Sequence, residues 1–172
     1  LNMSLFNRAE VIDENFISFL NVEKFPQAQT NLKLNQTNIR SSDLISIFES
    51  QIMSRHIDLK ARSLKDEGKC FYTIGSSGHE GNAVFGSVFP YTDTAFLHYR
   101  SAPFFLERSK QIDATTALYD MALSFMASSD DPISGGRHKV IGSKLLNIPP
   151  QTSTIASHLP KAVGMAFSIN LS

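Results

Sequence analysis

Strand signals are scarce in this chain. Two or three runs at most read as strands, residues 70–74 and 94–98 being the clearest, while helical periodicity fills most of the rest. A parallel sheet buried on both faces cannot be closed from so few. The predicted fold class is therefore α/β, mostly helical with a few parallel strands, and incomplete as a domain. Residues 1–40 read as an N-terminal extension: a short helix near 9–20, then a mobile connection dense in Asn and Gln from Gln27 to Asn38. Residues 41–172 read as the domain proper.

Helix signals organise that domain. Ser42 caps a long helix and Asp43 sits in its first turn, where the helix dipole favours an anion. Ile45, Phe48, Ile52 and Leu59 fall on one face at helical spacing, and Gly68 marks the stop. Ser77 and Glu80 have capping-box spacing for a second helix that Pro90 ends. Further helices are expected over 103–110, from Asp113 as N-cap through Leu118, Met121, Ala122, Phe125 and Met126, and over 156–169. In the last of these, Ala156, Ala162, Gly164 and Ala166 permit close backbone contact. Pro160 falls in its first turn, where a missing N–H matters least.

Composition excludes several function classes. Lys plus Arg is 16 and Asp plus Glu is 16, so the net charge is zero and a general nucleic-acid or polyanion binder is not expected. No apolar run approaches the roughly 18–20 residues of a membrane span. The single cysteine, Cys70, excludes an internal disulfide framework and a cysteine-based zinc site. It reads as a small buried residue in a reducing cytoplasm. The five histidines show no metal-ligand spacing.

Some residues carry chemistry on their own terms. Tyr99 and Arg100 end the 94–98 run, and open parallel sheets bind ligands outside the carboxyl ends of their strands. Arg100 offers a planar fork to phosphate oxygens and Tyr99 a hydroxyl donor. A surface arginine paired with an acid such as Glu107 would look the same from spacing alone. Ser77 to Glu80 reads as a capping box before it reads as an anion site. His79 reads as hydrogen-bonded between helices, His98 as flanking Tyr99, and His158 as a helix-start residue. Arg137, His138 and Lys139 form a basic loop that meets either solvent or a substrate, cofactor or partner.

Three segments occur in order: Phe71-Tyr72-Thr73-Ile74-Gly75-Ser76-Ser77-Gly78-His79-Glu80-Gly81, then Asp93-Thr94-Ala95-Phe96-Leu97-His98-Tyr99-Arg100, then Ser134-Gly135-Gly136-Arg137 leading through Pro150-Gln151-Thr152-Ser153-Thr154-Ile155-Ala156-Ser157-His158-Leu159-Pro160-Lys161-Ala162-Val163-Gly164. Together they resemble the alpha part of the first, decarboxylating component of the 2-oxo acid dehydrogenase complexes. The wording is closest to bacterial chains with fused alpha and beta parts, of the pyruvate or branched-chain type.

The resemblance implies an oxidoreductase subunit that uses thiamine diphosphate and magnesium. Such an enzyme decarboxylates a 2-oxo acid oxidatively and passes the acyl group to a lipoyl acyltransferase partner. It implies an oligomer in which a beta part completes the cofactor site. Tyr99 and Arg100 match the pair that contacts the diphosphate. Ser153 and Ile155 match the stretch under the bent cofactor, Ile155 as its bulky support. Arg137 and His138 fall in the substrate or partner loop. Thr152 and Ser157 match a loop that holds potassium in some relatives, with His158 standing where those relatives place Gln.

The magnesium motif, Gly-Asp-Gly and a later Asn, does not occur in the 172 residues. The chain thus reads as an N-terminal fragment, truncated before that motif and inactive alone, with exposed apolar helix faces. Two alternatives stand beside this reading. One is a non-catalytic remnant or assembly module; the other is an acetoin-type dehydrogenase.

Overall fold

The computed structural model describes residues 8–27, 32–71, 74–113 and 115–171. The chain divides into two units, Leu1–Arg40 and Ser41–Ser172. In the first, helix α1 (Arg8–Val22) is followed by a short 3-10 turn, Leu34–Gln36. Phe19 and Phe25 meet edge to face, with ring centroids 5.6 Å apart. The Gln36 side chain accepts the Lys33 N–H at 2.9 Å. Residues 28–31 of the expected connection lie outside the described residues.

The second unit is mostly helical: α2 (Ser41–Asp66), α3 (Asn82–Val88), α4 (Ala102–Ser109), α5 (Ala117–Phe125) and α6 (His158–Ile169). Helices α2, α3 and α4 pack on one another, and α5 leans on α4. Pro103 stands in the first turn of α4, where it forfeits no hydrogen bond. All eight residues of α4 are buried, and Phe104, Phe105 and Leu106 join Ile57, Met121, Phe125, Leu146 and Ile148 in the core. Each such side chain contributes about 1.5–3 kcal/mol by leaving water. No described helix is long and apolar enough to cross a membrane.

Helix α2 buries a different face from the one its apolar period predicts. Ile45 and Phe48 are exposed, at 58% and 53%. The buried residues are Ser50, Ser54, Ile57, Asp58 and Ala61. The reason lies on α4, whose buried Glu107 faces α2. Ser50 donates to that carboxylate at 2.6 Å and Ser46 at 3.1 Å, while Lys110 reaches it at 3.2 Å. Small hydroxyl side chains bring the helices close and satisfy a carboxylate that an apolar face would strand.

Two further expectations are corrected, and the expected strands are not confirmed. Among the described residues there is no strand, and one isolated antiparallel bridge joins Ser143 to Ile148. Residues 94–98 form no ladder: the Ala95 N–H reaches Asn147 C=O at 3.1 Å, and His98 C=O accepts only the local Ser101 N–H at 2.9 Å. Tyr72 and Thr73, in the middle of the other run, lie outside the described residues. The capping box does not form: α3 begins at Asn82 with Gly81 as N-cap, and Glu80 instead pairs with Arg55 and accepts the Gly78 N–H at 2.8 Å. Helix α5 starts after Thr116, not at Asp113, and Leu118 is exposed while Ala117, Met121, Ser124 and Phe125 are buried.

Helix α2 does end as expected, with the Lys69 N–H bonded to Leu64 C=O around Gly68 at φ 73°. Cys70 is buried and its thiol donates to Phe125 C=O at 3.0 Å.

Candidate functional site

A short turn, residues 74–76, lies between α2 and the Tyr99–Arg100 pair. Asp58 of α2 accepts the Ser76 N–H at 2.6 Å. Gly75 sits so close that a Cβ added there would lie 2.5 Å from the Asp58 carboxyl carbon. The turn's carbonyls then hold two cations. Arg100 Nη1 donates to Gly75 C=O at 2.7 Å, and Lys139 Nζ to Ile74 C=O at 2.9 Å. Burial raises the Asp58 pKa, against the Ser76 N–H and the positive charges of Lys139, Arg55 and Arg62. Burial likewise lowers Lys139, with Asp58 opposing and Arg100 reinforcing that shift. Desolvation outweighs mutual attraction for both groups.

The stem leading into α4 presents Tyr99 and Arg100, both half-buried. Their posture is fixed locally. The His98 N–H donates to Ser101 Oγ at 3.2 Å, the Ser101 N–H to His98 C=O at 2.9 Å, and the Arg100 N–H to His98 Nδ1 at 3.2 Å. The Tyr99 ring stacks on His98 at 4.0 Å, and the Arg100 guanidinium lies 5.5 Å from the Tyr99 ring centre.

Two more imidazoles close on His98. His79 stacks at 5.8 Å between centroids, and His158, the first residue of α6, meets it edge-on at 5.8 Å. Burial lowers the His98 pKa first, and the positive charges of His158, His79 and Arg100 lower it further. A ring so placed stays neutral near pH 7, which suits Nδ1 accepting the Arg100 N–H.

The loop before α6 meets this cluster through His158 and His138. His138 Nε2 accepts the Ser153 N–H at 3.2 Å, which brings a basic-loop residue onto the 152–157 segment. Thr152 Oγ1 donates to Ser157 Oγ at 3.1 Å. Ile155 is 79% exposed. Arg137 is exposed and donates only locally, to Ser134 C=O at 3.3 Å. The fold thus brings Tyr99, Arg100, His138, Lys139 and His158 into one connected region. It does not tie Arg137 to that region.

The chemistry available there is anion binding. Arg100 and Lys139 supply cations, Tyr99 a hydroxyl donor, and the imidazoles ring N–H donors. Among the described residues no group of three or more His, Cys, Asp or Glu is placed to hold a metal ion. A third cation is built differently. Arg108, 1% exposed, donates to Asp93 C=O at 2.8 Å and to Leu146 C=O at 3.3 Å, and lies 4.7 Å from the Phe104 ring centre. It clamps two backbone segments.

Sequence reasoning missed Asp58, which no local motif marks. It named His79, His98 and His158 separately but had no means to join residues so far apart in the chain. No protein-family model matches the chain, and no solved structure matches it.

Proposed function

We propose that this chain is the diphosphate-gripping alpha part of a thiamine-diphosphate-dependent first component of a 2-oxo acid dehydrogenase complex. The observation that carries the reading is the convergence of Tyr99 and Arg100 with Lys139 and three imidazoles beside one anchored turn. A diphosphate needs fixed charge and directed donors, and this donor set fits it. Tyr99 and Arg100 hold the phosphate oxygens. Ser153 and the exposed Ile155 lie on the segment that supports the bent cofactor. Arg137 and His138 face the substrate or the lipoyl-bearing partner.

Magnesium does not fit these residues: no described cluster offers its ligands, and Gly-Asp-Gly is absent from the 172 residues. Thr152 and Ser157, paired by their hydroxyls, are the residues that would frame a potassium loop. Held by Tyr99 and Arg100, thiamine diphosphate would supply the nucleophile and electron sink that decarboxylation of a 2-oxo acid needs. This chain's part is to bind, orient and keep charge matched. The reading places the protein in the cytoplasm, in an oligomer with a beta part and a lipoyl acyltransferase. By itself the chain turns over no substrate.

A non-catalytic assembly role is the second reading. It is favoured by α6, none of whose residues is buried although it carries Leu159, Val163 and Phe167. Calorimetry separates the two. Thiamine diphosphate with magnesium is titrated into the chain, then inorganic pyrophosphate and thiamine separately, and Arg100→Ala serves as control. Binding of both phosphate compounds, refusal of thiamine and loss in Arg100→Ala are expected. An absence of phosphate-dependent binding sinks the dehydrogenase reading and leaves the assembly role.

A further inference from the structure

We infer that Asp58 is a positioning residue for the anion site: from α2 it fixes the 74–76 turn whose two carbonyls aim Arg100 and Lys139. The inference rests on the reading of Tyr99 and Arg100 as a diphosphate grip.

Two contacts bear on Asp58 itself, and two more run from the segment it holds. The carboxylate holds the turn through the Ser76 N–H at 2.6 Å. Gly75 has no side chain to intervene, and any Cβ would strike that carboxylate. The Gly75 and Ile74 carbonyls in turn accept Arg100 at 2.7 Å and Lys139 at 2.9 Å. Both cations therefore depend on the placement of one turn, and that turn hangs on one buried carboxylate. A buried carboxylate is costly unless it is hydrogen-bonded and its charge is countered. Here it also counters the charge of Lys139, so that two cations can stand near each other before any anion arrives.

Simple electrostatics predicts the opposite sign from positioning, which makes the inference testable. Deleting a negative charge beside a cationic site, with geometry unchanged, strengthens anion binding. If Asp58 positions the turn, deleting it weakens binding instead.

The experiment titrates inorganic pyrophosphate by calorimetry into the wild-type chain, Asp58→Asn, Gly75→Ala and Arg100→Ala. Hydrogen exchange at the Ser76 amide is followed in the same proteins without pyrophosphate. Asp58→Asn and Gly75→Ala are each expected to raise the dissociation constant about tenfold, the loss of one charge-assisted contact. Both are expected to speed Ser76 exchange. Gly75→Ala leaves every charge in place, so its weakening assigns the effect to the contact.

Tighter binding by Asp58→Asn, or unchanged Ser76 exchange in both variants, overturns the positioning role while wild-type binding and its loss in Arg100→Ala keep the diphosphate reading. A wild-type chain that ignores pyrophosphate overturns that reading and the inference with it.

Discussion

Helix α4 and helix α6 carry similar apolar side chains and meet opposite fates. Every residue of α4 is buried, including Glu107 and Arg108; no residue of α6 is. The difference is in what each finds beside it. Helix α4 lies against α2 and α3; α2 hydroxyls donate to its Glu107, and the loop carbonyls of Asp93 and Leu146 accept from its Arg108. Helix α6 exposes Val163 at 69% and Phe167 at 66%. The candidate site straddles this divide. Tyr99 and Arg100 stand on the stem entering α4, while Ser153 and Ile155 stand on the loop entering α6. One half of the proposed grip is therefore built on a settled core and the other beside a helix with no buried residue.

Substitutions sharpen the contrast, and the largest effect belongs to α4. Phe105→Ala, at a side chain 3% exposed, should destabilise the chain by about 3–5 kcal/mol in urea unfolding. A loss below 1 kcal/mol would mean that α4 is not the core element described. Glu107→Gln removes the charge that Ser46, Ser50 and Lys110 address. It should cost about 1.5–3 kcal/mol, the range for hydrogen bonds to a charged group. An unchanged midpoint would show that the α2–α4 contact does not depend on the carboxylate. At the other end, Phe167→Ala in α6 should change stability by no more than about 0.5 kcal/mol. A large loss there would erase the difference between the two helices.

The pH dependence probes the stem between them. His98 has a folded pKa below its ordinary 6.5. In the window below 6.5 the unfolded chain binds the proton that the folded chain refuses. Stability from His98 is therefore present above pH 6.5 and lost as pH falls through the lowered value. Asp58 acts in the opposite sense. Its folded pKa is raised above 3.8, so its contribution is present below that value and fades as pH rises through the raised one. Unfolding midpoints measured across pH should show His98→Gln flattening the near-neutral slope and Asp58→Asn flattening the acidic one. Slopes untouched by either variant would contradict the burial assigned to these groups.

How much of this was legible beforehand varies with the kind of signal. Helix α4 is read from Pro103 and a local apolar run, and it forms over Ala102–Ser109 against an expected 103–110. The start of α6 is similarly near. The buried face of α2 was not legible, because apolar period points to Ile45 and Phe48 while a carboxylate on another helix selects Ser50 and Ser54. The strand over 94–98 depends on a partner strand that local sequence does not contain. In the site, Tyr99 and Arg100 were singled out by motif. Asp58 was not, because its role exists only once the 74–76 turn has folded back on α2.

The most direct measurement is a nuclear magnetic resonance titration of the labelled chain with thiamine diphosphate. If a diphosphate is gripped where the α4 stem meets the α6 loop, resonances of His98, Tyr99, Arg100, Lys139, Ser153 and His158 should shift together and saturate. Arg100→Ala should abolish the shifts. Shifts confined to residues around Arg108 and Phe104, or none at saturating cofactor, would contradict the account.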